Sequence, residues 1–368
     1  MILLSTAHAP FFTVFAENVQ NSTTQKEKSD TMKIFRKLLA VITAAATVLS
    51  LCACSSESGY SNSDSGKLKI ISTVFPPYDL ARQIAGDNAE ISILLPPGSE
   101  IHNYEPSAKD MIAIRNCDIF LYIGGENEQW AEKLINSNDT ENVTAVKLID
   151  YVPALSEDED EHEHDHDHDH EHEHTHGHEH SHEHGHEHEH EHETDEHIWT
   201  SPKNAQLMLS AVYDAICKVD PSDKQTYTKN KDAYAKQLSD LDNAYRSAVD
   251  NAKNKTIVLA DKFPFRYLAH EYGLEFSAAF AACSDESEPG VSTMIKLTKT
   301  IKENNIPAVY YLEFSSTKIA DTLCDETGAT KLMLHSCHNV SKQDIENNVS
   351  YVDLMKQNLE NLKLTLNG

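Results

Sequence analysis

The chain has 368 residues and a formal net charge of −28, from 59 acidic and 31 basic side chains. This length is too great for one small core and fits two domains or lobes. The acidic balance argues against nucleic acid as a partner, because nucleic-acid binding needs clustered Lys and Arg. It is compatible with a cation as the ligand.

The amino-terminal segment has the pattern of an export signal preceded by an extension. Residues 1–31 are predicted to be an upstream extension or a misplaced start, with Met32 as the true start; an apolar Met1–Ala16 acting as its own signal is the weaker alternative. Residues 32–54 hold a short basic region and an apolar run of signal-peptide length. That run is shorter than the about 20 apolar residues that a membrane span needs.

This signal ends in Leu51-Cys52-Ala53-Cys54, which resembles a bacterial lipobox. The small Ala53 before Cys54 makes Cys54 the predicted lipid-modified residue, and an ordinary secretory signal is the alternative. Residues 55–66 are rich in Ser, Asn and Gly and are predicted to be a flexible tether. The sequence therefore predicts a palmitate-type anchor that holds the protein on the extracytoplasmic face of the cell membrane.

Residues 67–200 are predicted to form an N-terminal lobe of alternating strands and helices. Apolar runs bounded by turn residues predict strands at 68–75, 91–95, 118–123 and 145–148. Helices are predicted between them, at 78–85, 108–116 and 127–135. This alternation is typical of a parallel sheet covered by helices.

One tract interrupts this lobe. Between Glu157 and Glu196 the chain has sixteen His and nineteen acidic residues with no Lys or Arg, so the tract supplies −19 of the net charge and the rest of the chain −9. It has no aliphatic or aromatic residue, so 157–196 is predicted to be a disordered loop. Imidazole and carboxylate are zinc ligands. The tract is either a self-repelling loop with no single function or, as we favour, a weak collector of zinc.

Residues 201–254 are predicted to be connecting helices. Ser201-Pro202 gives a helix cap and a first-turn proline, and Tyr234, Leu238, Leu241, Tyr245 and Val249 are spaced for one face of a second, long helix.

Residues 255–368 repeat the alternation as a C-terminal lobe. The predicted strands are 256–260, 276–280, 308–312 and 331–334, and the predicted helices are 265–272, 293–303, 317–327 and 344–362. The fold class is therefore α/β, with two lobes that each have a parallel-type sheet and covering helices, joined by a long connecting helix. Ligands of such sheets bind beyond the carboxyl ends of the strands, so we expect the site in a cleft between the lobes.

Cysteines do not indicate a metal site. Besides the anchor, the mature chain would have an odd number of them and no CxxC pair: Cys117, Cys217, Cys283, Cys324 and Cys337. One disulfide is compatible with an exported protein, and the sequence does not show which pair would form it.

Histidines outside the tract are better candidates. His102 follows a Pro-Pro-Gly turn, His197 precedes the Ser201 cap, and His335 follows the strand predicted at 331–334. These three lie where strand-end loops should converge, whereas His270 lies inside a helical pattern and is predicted to be structural. Ligands drawn from both lobes would make metal binding a closure event, since neither lobe alone completes the site.

Four separated motifs carry a family resemblance: PPGSEIHNYEPSAKD, DEHIWTSPKNA, YLAHEYGL and GATKLMLHSCHN. In this order, from about Leu68 to the end, they resemble the metal-binding lipoproteins of zinc and manganese ABC importers, which carry an acidic histidine-rich insertion at the same place. The resemblance implies a fold like that of the periplasmic binding proteins of the metal-binding cluster. It also implies an ABC permease and its ATPase as partners.

The resemblance also implies which residues bind the metal. His102 matches the histidine of a PG-x-x-x-H-x-Y/F-E-P loop, and His197 that of D-x-H-x-W. The third family histidine is replaced here by Lys262, and a protonated lysine is a poor ligand. His335 stands in place of the usual late carboxylate. The predicted site is thus His102, His197 and His335, with the fourth position left to water or to Asp261.

The predicted function is a lipid-anchored receptor, expected to be monomeric, that captures Zn2+ and hands it to the permease. Three neutral imidazoles favour zinc over Mn2+, which prefers oxygen ligands. The alternatives are a manganese receptor, a surface zinc buffer or adhesin, and a zinc metallohydrolase. The last is disfavoured because the chain has no HExxH or similar base-bearing motif outside the histidine-rich tract, so the protein is not expected to be an enzyme.

Overall fold

The computed structural model describes residues 66–99, 104–137, 140–156, 194–282 and 288–368. These residues belong to one compact unit, Ser63–Gly368. The predicted export signal with Cys54, the tether up to residue 65, His102, and tract residues 157–193 lie outside the described residues.

The first sheet has four parallel strands in the order β2-β1-β3-β4. The strands are β1 (Leu68–Ser72), β2 (Ala89–Ile93), β3 (Ile119–Tyr122) and β4 (Thr144–Lys147). The helices are α1 (Phe75–Ala85), α2 (Ala108–Arg115) and α3 (Gln129–Ile135), and 3-10 turns lie at Gly86–Asn88, Leu148–Tyr151 and Ile198–Thr200. The predicted strand-helix alternation is confirmed.

The strand predicted at 68–75 was too long. Strand β1 ends at Ser72, Val74 is the extended N-cap of α1, and prolines stand in the first turn of that helix. The N–H groups of a first turn have no helical acceptor, so proline costs little there. Pro76-Pro77 therefore begins the helix instead of ending the strand.

The predicted end of the disordered loop, at residue 196, was also wrong, because the described structure resumes at Thr194. Thr194 pairs with Ser156 in an isolated antiparallel bridge. Asp195 and Glu196 are buried, with 0% and 7% of their surface exposed. These last acids of the tract belong to the fold, because Asp195 accepts hydrogen bonds from His197 and Glu196 accepts them from Asn127.

The second sheet is also fully parallel, in the order β6-β5-β7-β8. Its strands are β5 (Thr256–Lys262), β6 (Glu275–Phe280), β7 (Ala308–Leu312) and β8 (Thr330–Leu334). Its helices are α6 (Arg266–Tyr272), α7 (Val291–Glu303), α8 (Lys318–Thr327), α9 (Lys342–Glu346) and α10 (Tyr351–Asn367). Together with the first sheet, this confirms the predicted α/β class.

The single helix predicted at 344–362 was wrong, because two helices occupy this region. Ser341 and Ser350 each close a capping box at the start of one of them. Asn348 between them has a φ of 54°, which ends the first helix. Each serine accepts the backbone N–H three residues on, and this local bond outweighs the continuous apolar spacing.

Two long helices connect the sheets, namely α4 (Pro202–Val219) and α5 (Lys224–Asp250). At 27 residues, α5 is roughly 40 Å long. Its predicted apolar face is confirmed, and the buried residues are Tyr227, Tyr234, Leu238, Leu241, Tyr245 and Val249.

One apolar core runs through both sheets. It includes Ile70 of the first sheet, Leu259 of the second and the buried face of α5. At its centre Tyr351 donates a hydrogen bond of 2.6 Å to the carbonyl of Trp199, and both side chains are about 1% exposed. The two sheets therefore share a packed interior, which holds the carboxyl ends of their strands in a fixed relation.

Candidate metal centre

A polar cavity lies where the loops after several strands meet. Its empty volume is about 550 Å3, including the open mouth. Residues from both halves of the chain line it, among them Ser99 from the loop after β2, His197, Asp261, Glu313 and His338. This is the position that the parallel-sheet architecture predicts for a ligand site.

His197 is held by the acid two residues before it. Asp195 Oδ1 accepts hydrogen bonds from the backbone N–H of His197 at 2.7 Å and from its Nδ1 at 2.9 Å. Asp195 is in turn held by α6, because Tyr267 donates its hydroxyl to the Asp195 carbonyl at 2.8 Å. With Nδ1 donating to a carboxylate, Nε2 keeps its lone pair, which is the state that a metal-binding imidazole requires.

His338 is the second imidazole at this cavity. Its ring centroid lies 5.8 Å from that of His197, at an interplanar angle of 84°, and 5.0 Å from that of Trp199. The backbone N–H of Phe75 donates to the His338 carbonyl at 3.1 Å. Residues far apart in the sequence thus bring two imidazoles together. Sequence reasoning left His338 out, although it stands only three residues after His335.

His335 lies behind the loop that carries His338. It is 6% exposed, its Nδ1 accepts the N–H of Cys337 at 3.0 Å, and it is not among the residues that line the cavity. Burial lowers the pKa of His335 to about 4, so the ring is neutral. Because Nδ1 accepts this hydrogen bond, the proton of the neutral ring is on Nε2. Zinc binding through Nε2 would move that proton to Nδ1, where it would point at the N–H of Cys337. The assignment of His335 as a ligand stays a prediction.

Asp261, the predicted fourth ligand, is the second-last residue of β5 and lines the cavity. It is 8% exposed, and its two oxygens accept the N–H groups of Lys262 at 2.9 Å and Leu312 at 3.3 Å. Lys262, which stands at the family's histidine position, also lines the cavity. Within the part of the chain that the structure describes, no three His, Cys, Asp or Glu side chains form a group that could hold a metal.

A hydrogen-bonded clamp joins the Pro-Pro-Gly loop to the loop that carries His338. Asn339 donates through Nδ2 to the carbonyls of Pro96 at 2.7 Å and Ser99 at 2.8 Å. The N–H of Gly98 donates to the Val340 carbonyl at 3.1 Å. His102 follows Ser99 by three positions, so this clamp fixes the start of the segment that carries it.

The cysteines of the described residues do not contribute thiolates. Cys117, Cys217, Cys324 and Cys337 are free, and Cys283 lies outside the described residues. Burial raises the pKa of Cys337, next to His338, well above its usual range. Its thiol therefore stays protonated and is a poor zinc ligand.

Two carboxyl groups lie behind His197. Glu196 accepts hydrogen bonds from the backbone N–H of Asn127 at 2.9 Å and from its Nδ2 at 3.0 Å. Glu128 Oε2 accepts the N–H groups of Ile123 at 2.7 Å and Gly124 at 2.8 Å. Burial raises the pKa of Glu128 to about 7.

Replacing Glu128 by Gln should remove one source of pH-dependent instability. The pKa of Glu128 rises from an ordinary 4.5 to about 7 on folding, so the folded state holds a proton that the unfolded state loses. The free energy of unfolding therefore falls as the pH rises between these two values, by at most about 3 kcal/mol. Above the higher value it no longer depends on this group. In urea unfolding without metal, the stability of Glu128→Gln relative to the parent should increase as the pH rises across this range. A constant offset between the two proteins across this range would contradict the assignment.

Gly125 makes room for Glu196. Its φ is +102°, and an added Cβ would lie 2.5 Å from Glu196 Cγ. Gly125→Ala is expected to cost about 1–3 kcal/mol more than Gly273→Ala, because Gly273 shares a positive φ of +66° but has nothing within 4 Å. Thermal unfolding of the two variants measures the difference. If both variants lost the same stability, the Glu196 side chain would be able to move away from the added methyl group at no cost.

The fold and site define an α/β ligand-binding protein whose cavity is lined by imidazole and carboxylate groups. The family model described as "Zinc-uptake complex component A periplasmic" (ZnuA) matches residues 70–364, and the chain belongs to this family. This is a family of zinc-uptake components and not of enzymes.

Individual relatives agree with this assignment. The chain is 35% identical over 338 residues to the high-affinity zinc uptake system protein ZnuA of Bacillus subtilis, covering 90% of this chain and 99% of that protein. It superposes on the metal-dependent lipoprotein YcdH of Bacillus subtilis with a TM-score of 0.66 and 30% identity, over 82% of this chain and 100% of that one.

It also superposes on Zn(II)-bound AdcA of Streptococcus pneumoniae, with a TM-score of 0.65 and 31% identity, over 82% of this chain and 58% of that one. Among the helices of the described residues, none has the length and apolar character that crossing a bilayer requires.

Proposed function

We propose that this protein is an extracytoplasmic receptor that captures Zn2+ as cargo and delivers it to an ABC permease driven by its ATPase. The observation that carries the proposal is the pair of imidazoles, His197 and His338, that meet at a cavity between two sheets, with His197 oriented by Asp195. Imidazole favours zinc over manganese. The names of the relatives, a zinc uptake protein and a zinc-bound lipoprotein, support the same cargo.

The ligand set that we propose starts from three histidines. His197 and His338 line the cavity, and His102, in the segment after Ser99, supplies the third imidazole. Asp261 is the predicted ligand for the fourth position. His335 is the alternative to His338.

We further propose that Cys54 carries the lipid and that the monomeric receptor thereby stays at the outer face of the membrane. The YcdH relative is named a lipoprotein, which supports the anchor. Mass spectrometry of the protein extracted from membranes tests it, because Cys54→Ala should abolish acylation and release the protein, whereas Cys52→Ala should not.

Deleting residues 157–193 tests the function and the role of the tract together. Ser156 and Thr194 are paired in an antiparallel bridge, so an Asn-Gly turn put in place of the deleted residues reconnects the chain without stretching the fold. Fixing tract residues around an ion costs about 1–2 kcal/mol in backbone entropy for each residue, so we expect sites in the tract to bind zinc more weakly than the cavity does. Calorimetric titration should therefore show one tight zinc retained and several weak ones lost.

Loss of the tight site in this deletion variant would move the specific site into the tract and contradict the proposed function. Manganese, titrated against the same variant, serves as the matched control for cargo. Tighter binding of manganese than of zinc would favour a manganese receptor.

A further inference from the structure

We propose that the Phe314 ring controls the rate at which zinc enters and leaves the cavity. This inference rests on the proposed function and deepens it, because it names the residue that sets the rate of exchange. Phe314 lies in the turn after β7 and is a wall residue of the cavity.

Phe314 has a backbone conformation that is costly for its side chain. Its φ is 61°, in the left-handed region that favours glycine. It is the third residue of the turn from Leu312 to Ser315, in which the Ser315 N–H donates to the Leu312 carbonyl at 3.4 Å. Glycine is the usual residue where the third position of a turn has a positive φ. A large aromatic side chain therefore stands at a position where local structure asks for none.

Three other non-glycine residues in the described part of the chain have a positive φ. Asn305 and Asn348 are asparagines, which tolerate this conformation. The third is Cys337, in the loop after β8. The turns of Phe314 and Cys337 lie together at the cavity, because Glu313 Oε2 accepts the N–H of Ser336 at 2.7 Å. Strained backbone persists where function requires it, commonly at sites that clamp a ligand.

Burial does not explain why a phenyl ring stands at this position. Phe314 is 50% exposed, so the fold gains only part of the stabilisation that a buried ring provides. The ring contacts the loop of the other sheet instead. Its Cε1 lies 4.0 Å from the position that a Cβ would take at Gly98, in the Pro-Pro-Gly loop after β2. Phe314 therefore bridges the loops that follow β7 and β2.

The backbones on both sides of this bridge are fixed by hydrogen bonds. Asn339 donates to the carbonyls of Pro96 and Ser99, and the Gly98 N–H donates to the Val340 carbonyl. The two sheets also share one packed core, so parting them would expose apolar surface. Rotation of a half-exposed phenyl ring breaks none of these contacts. We therefore assign the opening of this edge of the cavity to the Phe314 side chain and not to a movement of the lobes.

A ring that blocks the route of the ion affects entry and exit alike. It raises the barrier that both directions cross, so both rate constants change by one factor while their ratio, the Kd, stays the same. Losing the contacts of a half-buried ring corresponds to about tenfold in rate. A residue that instead helped to hold the bound ion would change dissociation and the Kd together.

The test is the kinetics of zinc exchange in the full-length protein, loaded with one equivalent of zinc so that the tight site fills first. Dissociation is followed after mixing with excess chelator. Association is followed by tryptophan fluorescence, because the Trp199 ring lies 5.0 Å from that of His338. Phe314→Gly should raise both rate constants about tenfold and leave the Kd unchanged, and Phe314→Tyr, which keeps the ring, should exchange zinc at the parent rates.

Two control variants separate the ring from the strained turn. Asn305→Gly changes an exposed residue with a φ of 50° between α7 and β7, away from the cavity wall, and should leave both rates unchanged. Phe314→Ala keeps the strained φ without the ring and should match Phe314→Gly in both rates. If Phe314→Ala exchanged zinc as slowly as the parent, the turn and not the ring would be responsible, and the inference would be overturned.

Two further outcomes would overturn it: parent rates in Phe314→Gly, or faster dissociation in that variant with association unchanged. The second result would mean that the ring holds the bound ion and does not block its route. Failure of the parent protein to bind zinc tightly would instead contradict the proposed function itself. The Kd of the parent and the rates of the variants therefore distinguish the two failures.

Discussion

Replacing His338 by alanine should weaken zinc binding by at least about 100-fold, because removing a direct ligand costs more than removing the groups that orient ligands, which typically costs about 10–100-fold. His338 lines the cavity with its ring 5.8 Å from that of His197. The measurement is competition with a chelator of known affinity. His270→Ala is the control, because His270 is exposed on α6.

His335→Ala should behave in the opposite way. It leaves the Cys337 N–H without its acceptor and opens a space in the interior, so the free energy of unfolding should fall by about 2–3 kcal/mol. Zinc affinity should change by less than about tenfold, because the effect reaches the metal only through the loop. If His335→Ala abolished zinc binding and His338→Ala left it intact, the ligand assignment from the sequence would be correct and ours wrong.

The choice between these two histidines shows what the sequence leaves open at such a site. The pattern LMLHSCHN placed a histidine directly after a strand, and strand ends are where ligands cluster. Which of two nearby histidines faces the ligand depends on how the loop turns. Here Cys337 has a φ of 62°, a conformation uncommon for a side chain other than glycine. This turn sends His335 into the core and His338 to the cavity, and composition does not predict it.

The elements themselves were predictable because their signals are local. Alternating apolar strands and amphipathic helices identified both sheets and the long α5. The errors fell at places where a local hydrogen bond or a proline decided the boundary, at Pro76-Pro77 and at Asn348. The end of the tract was missed for another reason. Asp195 and Glu196 look like the acids before them. Their long-range partners make them part of the fold, namely Tyr267 and Arg266 for Asp195 and Asn127 for Glu196.

Asp79→Ala is the substitution with the largest expected effect on stability. Asp79 is fully buried, and its carboxylate joins three helices. Oδ1 accepts hydrogen bonds from Arg82 and, at 3.1 Å, from Gln83 of the same helix. Oδ2 accepts the hydroxyl of Tyr234 on α5 at 2.7 Å and the N–H of Tyr351 on α10 at 2.9 Å.

Removing this carboxylate leaves buried donors without an acceptor and Arg82 without its counter-charge. Breaking a buried charged pair in this way costs about 3–5 kcal/mol, which should appear as a lower midpoint in urea unfolding without metal. Asp321→Ala is the matched control, since Asp321 makes a surface ion pair with Lys331, and it should lower the midpoint far less because exposed ion pairs contribute about 0–1 kcal/mol. A loss in Asp79→Ala no greater than in this control would mean that the junction is held by its apolar contacts alone. The shared core of the two sheets, and not the Asp79 network, would then keep the metal loops in register.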